Sequence, residues 1–156
     1  MTDGLPTIAF DIDGYRHTIE VMFTAQEILV GNADYPTEPI GDTSRKFRQL
    51  GLGYANLGAL LMAQGMPYDS DAGRAWTSAL TAIMTGHAYE QSAELSRVAG
   101  PFKGYRDARC AHVSTPTLKD NVGSMLGVIQ AHRDAVESIQ PSREFHYLKE
   151  QARQSW

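Results

Sequence analysis

Apolar residues recur at three- and four-residue steps along most of this chain, the signature of helices with a buried side. The most pronounced run is 47–62, FRQLGLGYANLGALLM. Helical spacing would put Phe47, Leu50, Tyr54, Leu57 and Leu61 on one face, and Gly51, Ala55, Gly58 and Met62 on another. A helix apolar on one side and small on the other is gripped from two directions, so the pattern predicts a central core helix over about 44–64. Thr43 or Ser44 can cap it, and Gly65 with Pro67 can end it. Three internal glycines, each costing up to ~1 kcal/mol against Ala, predict close approach of neighbouring backbone.

The remaining elements follow from the same periodicity. Ile19, Met22, Phe23, Gln26 and Leu29/Val30 predict a helix from 15 to about 30, stopped at Gly31-Asn32. Pro36, Pro39, Gly41 and Asp42 predict a loop over 31–43. Asp69 or Ser70 can cap a long helix over about 71–98, with Asp71 favouring its dipole. Trp76, Leu80, Ile83/Met84, His87, Leu95 and Val98 trace its buried side, and Gly100-Pro101 ends it. Val122, Met125, Leu126, Ile129, His132/Arg133, Val136 and Ile139 predict another helix over 120–139. After Pro141 and Ser142, Phe145, Leu148, Ala152 and Trp156 predict a last one. The expected fold is all-α, with four or five helices packed around the glycine-rich one, and 1–156 forms a single helical domain or part of one.

Composition narrows the function classes. The chain has 156 residues, enough to bury a core. It is 42% hydrophobic and 21% charged, with a formal net charge of -4. It has no basic run to serve as a nucleic-acid footprint and no apolar run long enough to cross a bilayer. The acidic, short N-terminus is unlike a signal peptide, so a cytoplasmic setting is expected. One cysteine, Cys110, excludes an internal disulfide and a multi-cysteine zinc site.

Several residue sets could carry chemistry. Residues 6–14, PTIAFDIDG, read as an apolar strand ending in Asp-x-Asp-Gly, which resembles the first motif of haloacid-dehalogenase-type phosphatases. There Asp11 would attack phosphorus, Asp13 would act as acid/base and magnesium would neutralise charge. Tyr15 stands where that family has Thr, and no later strand ends in an acidic pair. The alternative is a turn with Asp13 capping the next helix. Asp69 and Asp71 could begin a calcium loop, but too few carboxylates follow, and capping is the simpler role. His17/Glu20 and His87/Glu90 repeat a three-residue spacing that binds metal in some helical bundles, or simply decorates helix faces. Cys110 and His112 could pair as thiolate and base, although one such pair usually carries no chemistry.

The run 47–62 also resembles a segment of the catalytic subunit of adenosylcobalamin-dependent (class II) ribonucleotide reductases. The likeness continues in order through 67–74, PYDSDAGR; through 79–86, ALTAIMTG, with Tyr89, Ser92, Ala93 and Glu94; and through Gly100-Pro101-Phe102. It resumes at 125–129, MLGVI, with His132-Arg133, and reaches Leu148, Ala152, Arg153 and Trp156. It covers roughly residues 9–156, with 109–118 reading as an insertion. The resemblance implies a vitamin B12-dependent ribonucleoside-diphosphate reductase, which makes deoxyribonucleotides for DNA synthesis through a cysteine thiyl radical and two further redox cysteines. Adenosylcobalamin is the implied cofactor, and nucleotide substrate and effector bind only to the complete enzyme. The neighbourhood of Cys110 does not match that family's Asn-x-Cys-x-Glu motif, so no catalytic or metal residue is carried onto this chain. The expectation is therefore an internal fragment or split piece, inactive alone, whose partner is the remainder of the catalytic subunit. Gly51, Gly53, Tyr54, Asn56 and Gly58 match best and imply packing behind an active site. A stand-alone helical interaction module derived from a reductase is the other reading.

Overall fold

The computed structural model describes residues 10–106, 121–139 and 146–156. Six α-helices occur among them: α1 (Ile12–Asn32), α2 (Glu38–Phe47), α3 (Leu57–Ala63), α4 (Asp71–Ala99), α5 (Asn121–Glu137) and α6 (His146–Gln154). A 3-10 turn, Lys103–Arg106, follows α4. The described residues contain no strand. The all-α expectation holds, with one more helix than the upper count foreseen.

The extra helix comes from the glycine-rich stretch, which is not one helix. Residues 48–56 are non-helical, and α2 and α3 flank them. Arg48 closes α2 with φ 50° and Asn56 opens α3 with φ 64°, both in the left-handed region that ends a helix. Gly51 and Gly53 have open space where a Cβ would stand, so they mark a helix break and not a close backbone approach. The expected loop over 31–43 is corrected as well. Pro39 sits in the first turn of α2, where its missing N–H costs nothing, so Thr43 and Ser44 lie inside that helix instead of capping the next.

The centre of the fold is α4. Ala75, Trp76, Ala79, Leu80 and Ile83 on it are buried, and Ile83 and Ala79 are fully so. They meet Ile12 from α1, Leu61 from α3, Val136 from α5 and Ala152 from α6. Each large aliphatic or aromatic side chain buried here stabilises by about 1.5–3 kcal/mol. Ser70 caps α4 as expected, accepting the amide N–H of Gly73 at 3.0 Å. Small residues on α4 let neighbours approach: the carbonyl oxygen of Ser155 passes 2.5 Å from the position a Cβ on Gly86 would occupy. Val98, expected on the buried side, is instead 81% exposed at the end of α4. At the end of α3, Gly65 takes φ 70°, and the amide N–H of Met66 donates back to the Leu61 carbonyl at 2.9 Å.

Candidate functional site

A groove of about 1000 Å³ runs along the N-terminal half of α4. Arg74, Thr77, Ser78, Thr81 and Thr85 form its α4 side, and His132, Val136 and Ile139 face it, with Trp156 at one end. Helical spacing lines these hydroxyls up, but three of them donate to the helix itself. Thr77 donates to the Gly73 carbonyl at 2.8 Å, Ser78 to that of Arg74 at 2.9 Å, and Thr81 to that of Thr77 at 2.7 Å. Arg74 is held by Asp69 at 2.6 Å and Asp71 at 2.8 Å, and these carboxylates, Asp71 foremost, raise its affinity for the proton still further. The acidic residues read as a possible calcium loop are thus a clasp for an arginine.

Tyr54, from the non-helical stretch, shares a 2.6 Å hydrogen bond with the Thr81 hydroxyl. Nearby, the Tyr15 hydroxyl donates to the Leu80 carbonyl at 3.4 Å. Burial, and secondarily the neighbouring Tyr54 phenol, push Tyr15 up from 10.0 to about 12. It is a neutral donor at physiological pH. Trp156 donates its indole N–H to the Ala82 carbonyl at 3.0 Å and packs against the Tyr89 and His132 rings.

The two Glu/His pairs converge. His87 is buried between α4 and α1; its Nε2 lies 2.9 Å from Glu20 and its Nδ1 2.8 Å from Glu90. His17 approaches the same Glu20 at 3.7 Å. Sequence spacing exposed each pair but not the link between them, which depends on α1 lying against α4. Both ring nitrogens of His87 lie within hydrogen-bond distance of a carboxylate, so both are engaged within the protein. Among the described residues no group of three or more His, Cys, Asp or Glu is arranged to hold a metal ion.

The phosphatase reading does not survive. Asp11 is the N-cap of α1, accepting the Gly14 amide N–H at 2.9 Å, and Asp13 lies in the first helical turn. Asp11, and not Asp13, does the capping. Ile12 is already helical, so the Asp-x-Asp segment opens a helix instead of closing a strand. Cys110, His112 and the expected insertion at 109–118 lie outside the described residues.

A second hollow of about 380 Å³ lies among Phe23, Glu27, Arg48, Ser92, Leu95 and Phe102. Arg48 spans it, its Nη2 donating to the Glu27 carbonyl at 2.7 Å while its Nε bonds the Glu27 carboxylate. No helix among the described residues is long and apolar enough to cross a membrane.

Comparison with known proteins gives a consistent answer. Residues 3–155 match the model of the ribonucleotide reductase barrel domain. A vitamin B12-dependent ribonucleotide reductase of Rhodopirellula baltica is 46% identical over 148 residues, 95% of this chain and 13% of that protein. One from Bradyrhizobium diazoefficiens is 45% identical over 132 residues, 85% of this chain and 10% of that protein. A vitamin B12-dependent ribonucleoside-diphosphate reductase of Mycobacterium tuberculosis is 31% identical over 109 residues, 69% of this chain and 16% of that protein. The chain spans between a tenth and a sixth of the length of these relatives. On the match over 3–155, it belongs to the ribonucleotide reductase barrel-domain family.

Proposed function

We propose that this chain is a helical piece of a vitamin B12-dependent ribonucleotide reductase and serves the conversion of ribonucleotides to deoxyribonucleotides as scaffold. The family match over nearly the whole chain, beside a single cysteine, carries this reading. A reductase that passes a thiyl radical to substrate and takes two electrons from a cysteine pair needs three thiols, and Cys110 alone cannot supply them. The chain by itself is therefore inactive. Its partner is the remainder of the catalytic subunit, and a cytoplasmic setting goes with that role. Residues 109–118 are read as an insertion into the family pattern.

The α4 groove does not fit adenosylcobalamin. A corrinoid carries a rim of amides and a phosphate, and asks for free donors and cations around a broad apolar face. In the α4 groove Thr77, Ser78 and Thr81 donate to the carbonyls of their own helix, Ser138 donates to the Ala135 carbonyl, and Arg74 is already paired. The cofactor, like nucleotide substrate and effector, belongs to the complete enzyme on this reading. α4 and its attached helices hold the shape of the wall behind the site.

The test is adenosylcobalamin-dependent reduction of ribonucleoside diphosphates. The purified 156-residue chain should show no turnover, and turnover would overturn the reading. The R. baltica reductase with its matching segment replaced by this chain should keep activity within the usual enzyme range. A folded but inactive graft would count equally against the reading.

A further inference from the structure

Helix α1 is apolar on two sides. One side joins the core through Ile12 and Ile19, both buried. The other presents Val21, Met22, Ile28 and Leu29, which are 52%, 47%, 58% and 64% exposed. At 3.6 residues per turn these four fall within an arc of about 120°, with Thr18, Ala25 and Asn32 along its centre. Asp13, Arg16, His17, Glu20 and Glu27 are the acidic and basic side chains of α1, and all lie outside that arc. Of the two polar side chains on the centre line, Thr18 donates to the Gly14 carbonyl and Asn32 donates one N–H to the Ile28 carbonyl, both at 2.8 Å, and the rest of the Asn32 amide lies at the C-terminal end of the face. An uncharged apolar helix face is what an inter-layer contact uses.

We propose that this face of α1 docks on an uncharged apolar surface of the rest of the reductase subunit, an inference that rests on the function proposed above. The matched R. baltica protein covers 95% of this chain while the chain covers 13% of it, so most of that polypeptide remains to supply the second layer. Asp, Glu, Lys and Arg are absent from the proposed contact on the α1 side, so its partner surface must be apolar too, since an unpaired charge buried there would be costly.

Met22 is a label already in place. Hydroxyl-radical oxidation of Met22, read by mass spectrometry, is compared between the 156-residue chain and the R. baltica reductase carrying this chain as its matching segment. Burial of Met22, 47% exposed here, should slow its oxidation severalfold. In the unmodified R. baltica enzyme, the peptide matching 21–29 should resist carbene labelling in the same way. An active graft in which Met22 oxidises as fast as in the separate chain, or a heavily labelled natural peptide, overturns the docking and leaves the functional reading standing. A folded, inactive graft removes both. Protection of Met22 in the separate chain that rises with concentration, together with a dimer mass in sedimentation, assigns the face to a second copy and also overturns the proposal.

Discussion

The carbonyl oxygen of Ser155 lies 2.5 Å from where a Cβ on Gly86 would stand, and the Trp156 indole nitrogen lies 2.7 Å from it. The end of α6 is therefore seated directly on the α4 backbone. Gly86→Ala should force the two apart and destabilise the fold by about 1–3 kcal/mol, despite the better helix propensity of Ala. Gly51→Ala and Gly53→Ala meet nothing within 4 Å and should be neutral or stabilise by up to about 1 kcal/mol. Urea unfolding of the three variants checks the contrast; equal effects at all three sites would contradict it.

His87 ties α1 to α4 through Glu20. Its removal leaves a buried space and takes the His87 contact from both Glu20 and Glu90, so His87→Ala should cost about 1–3 kcal/mol. Glu20→Gln should matter in the parent and much less in the His87→Ala background, because both changes cut the same link. A double-mutant cycle in urea measures the coupling, and simple additivity would show the link to be idle.

Tyr15 sets a limit at high pH. Its folded value is about 12 against 10.0 for an ordinary tyrosine, with burial the main cause. Below pH 10 both states keep the proton and the native contact is intact. Between 10 and 12 the unfolded chain ionises first, so stability falls as pH rises through that window. Ultraviolet absorbance titration of the phenols should show a late-ionising component that Tyr15→Phe removes, and the same variant should flatten the alkaline loss of stability.

Asp11 and Asp13 separate capping from chemistry. Asp11→Ala should destabilise by about 1 kcal/mol through loss of the cap. Asp13→Ala, in the first turn, should cost less, about 0.3–1 kcal/mol at low salt. Neither variant should change a magnesium-dependent phosphatase rate, since the parent is expected to show none. Hydrolysis of a phosphate monoester that Asp11→Asn abolishes would reverse this assignment.

The long helices are legible in the sequence because their spacing and end signals agree. Ser70 caps α4 and Trp76, Leu80 and Ile83 sit on its buried side where the pattern puts them, and α1 differs from expectation mainly in its earlier start. The run 47–62 misleads for a physical reason. Leu50, Tyr54 and Leu57 have helical spacing, but periodicity carries no information on backbone cost. Gly51 and Gly53 together tip the local balance away from a helix, while Arg48 and Asn56 provide left-handed ends. Pro39 misleads in the opposite direction, since a proline that breaks a helix interior is welcome in a first turn. Of the site, the Ser70 cap and each Glu/His pair are visible in the sequence. The Glu20–His87 link, the Tyr54–Thr81 hydrogen bond and the clasp of Arg74 are not, because they depend on tertiary approach or on side-chain direction.

The seating of Trp156 on the Ala82 carbonyl gives this protein two natural optical reporters. The sequence holds two tryptophans: Trp76 is buried in the central core, and Trp156 lies in the seam between α4 and α6. Their emission should change at separate stages if α6 lifts before the core opens, and together if unfolding is a single step. A Trp76→Phe chain would then report the seam alone, so the order in which the helices assemble can be followed without an added dye.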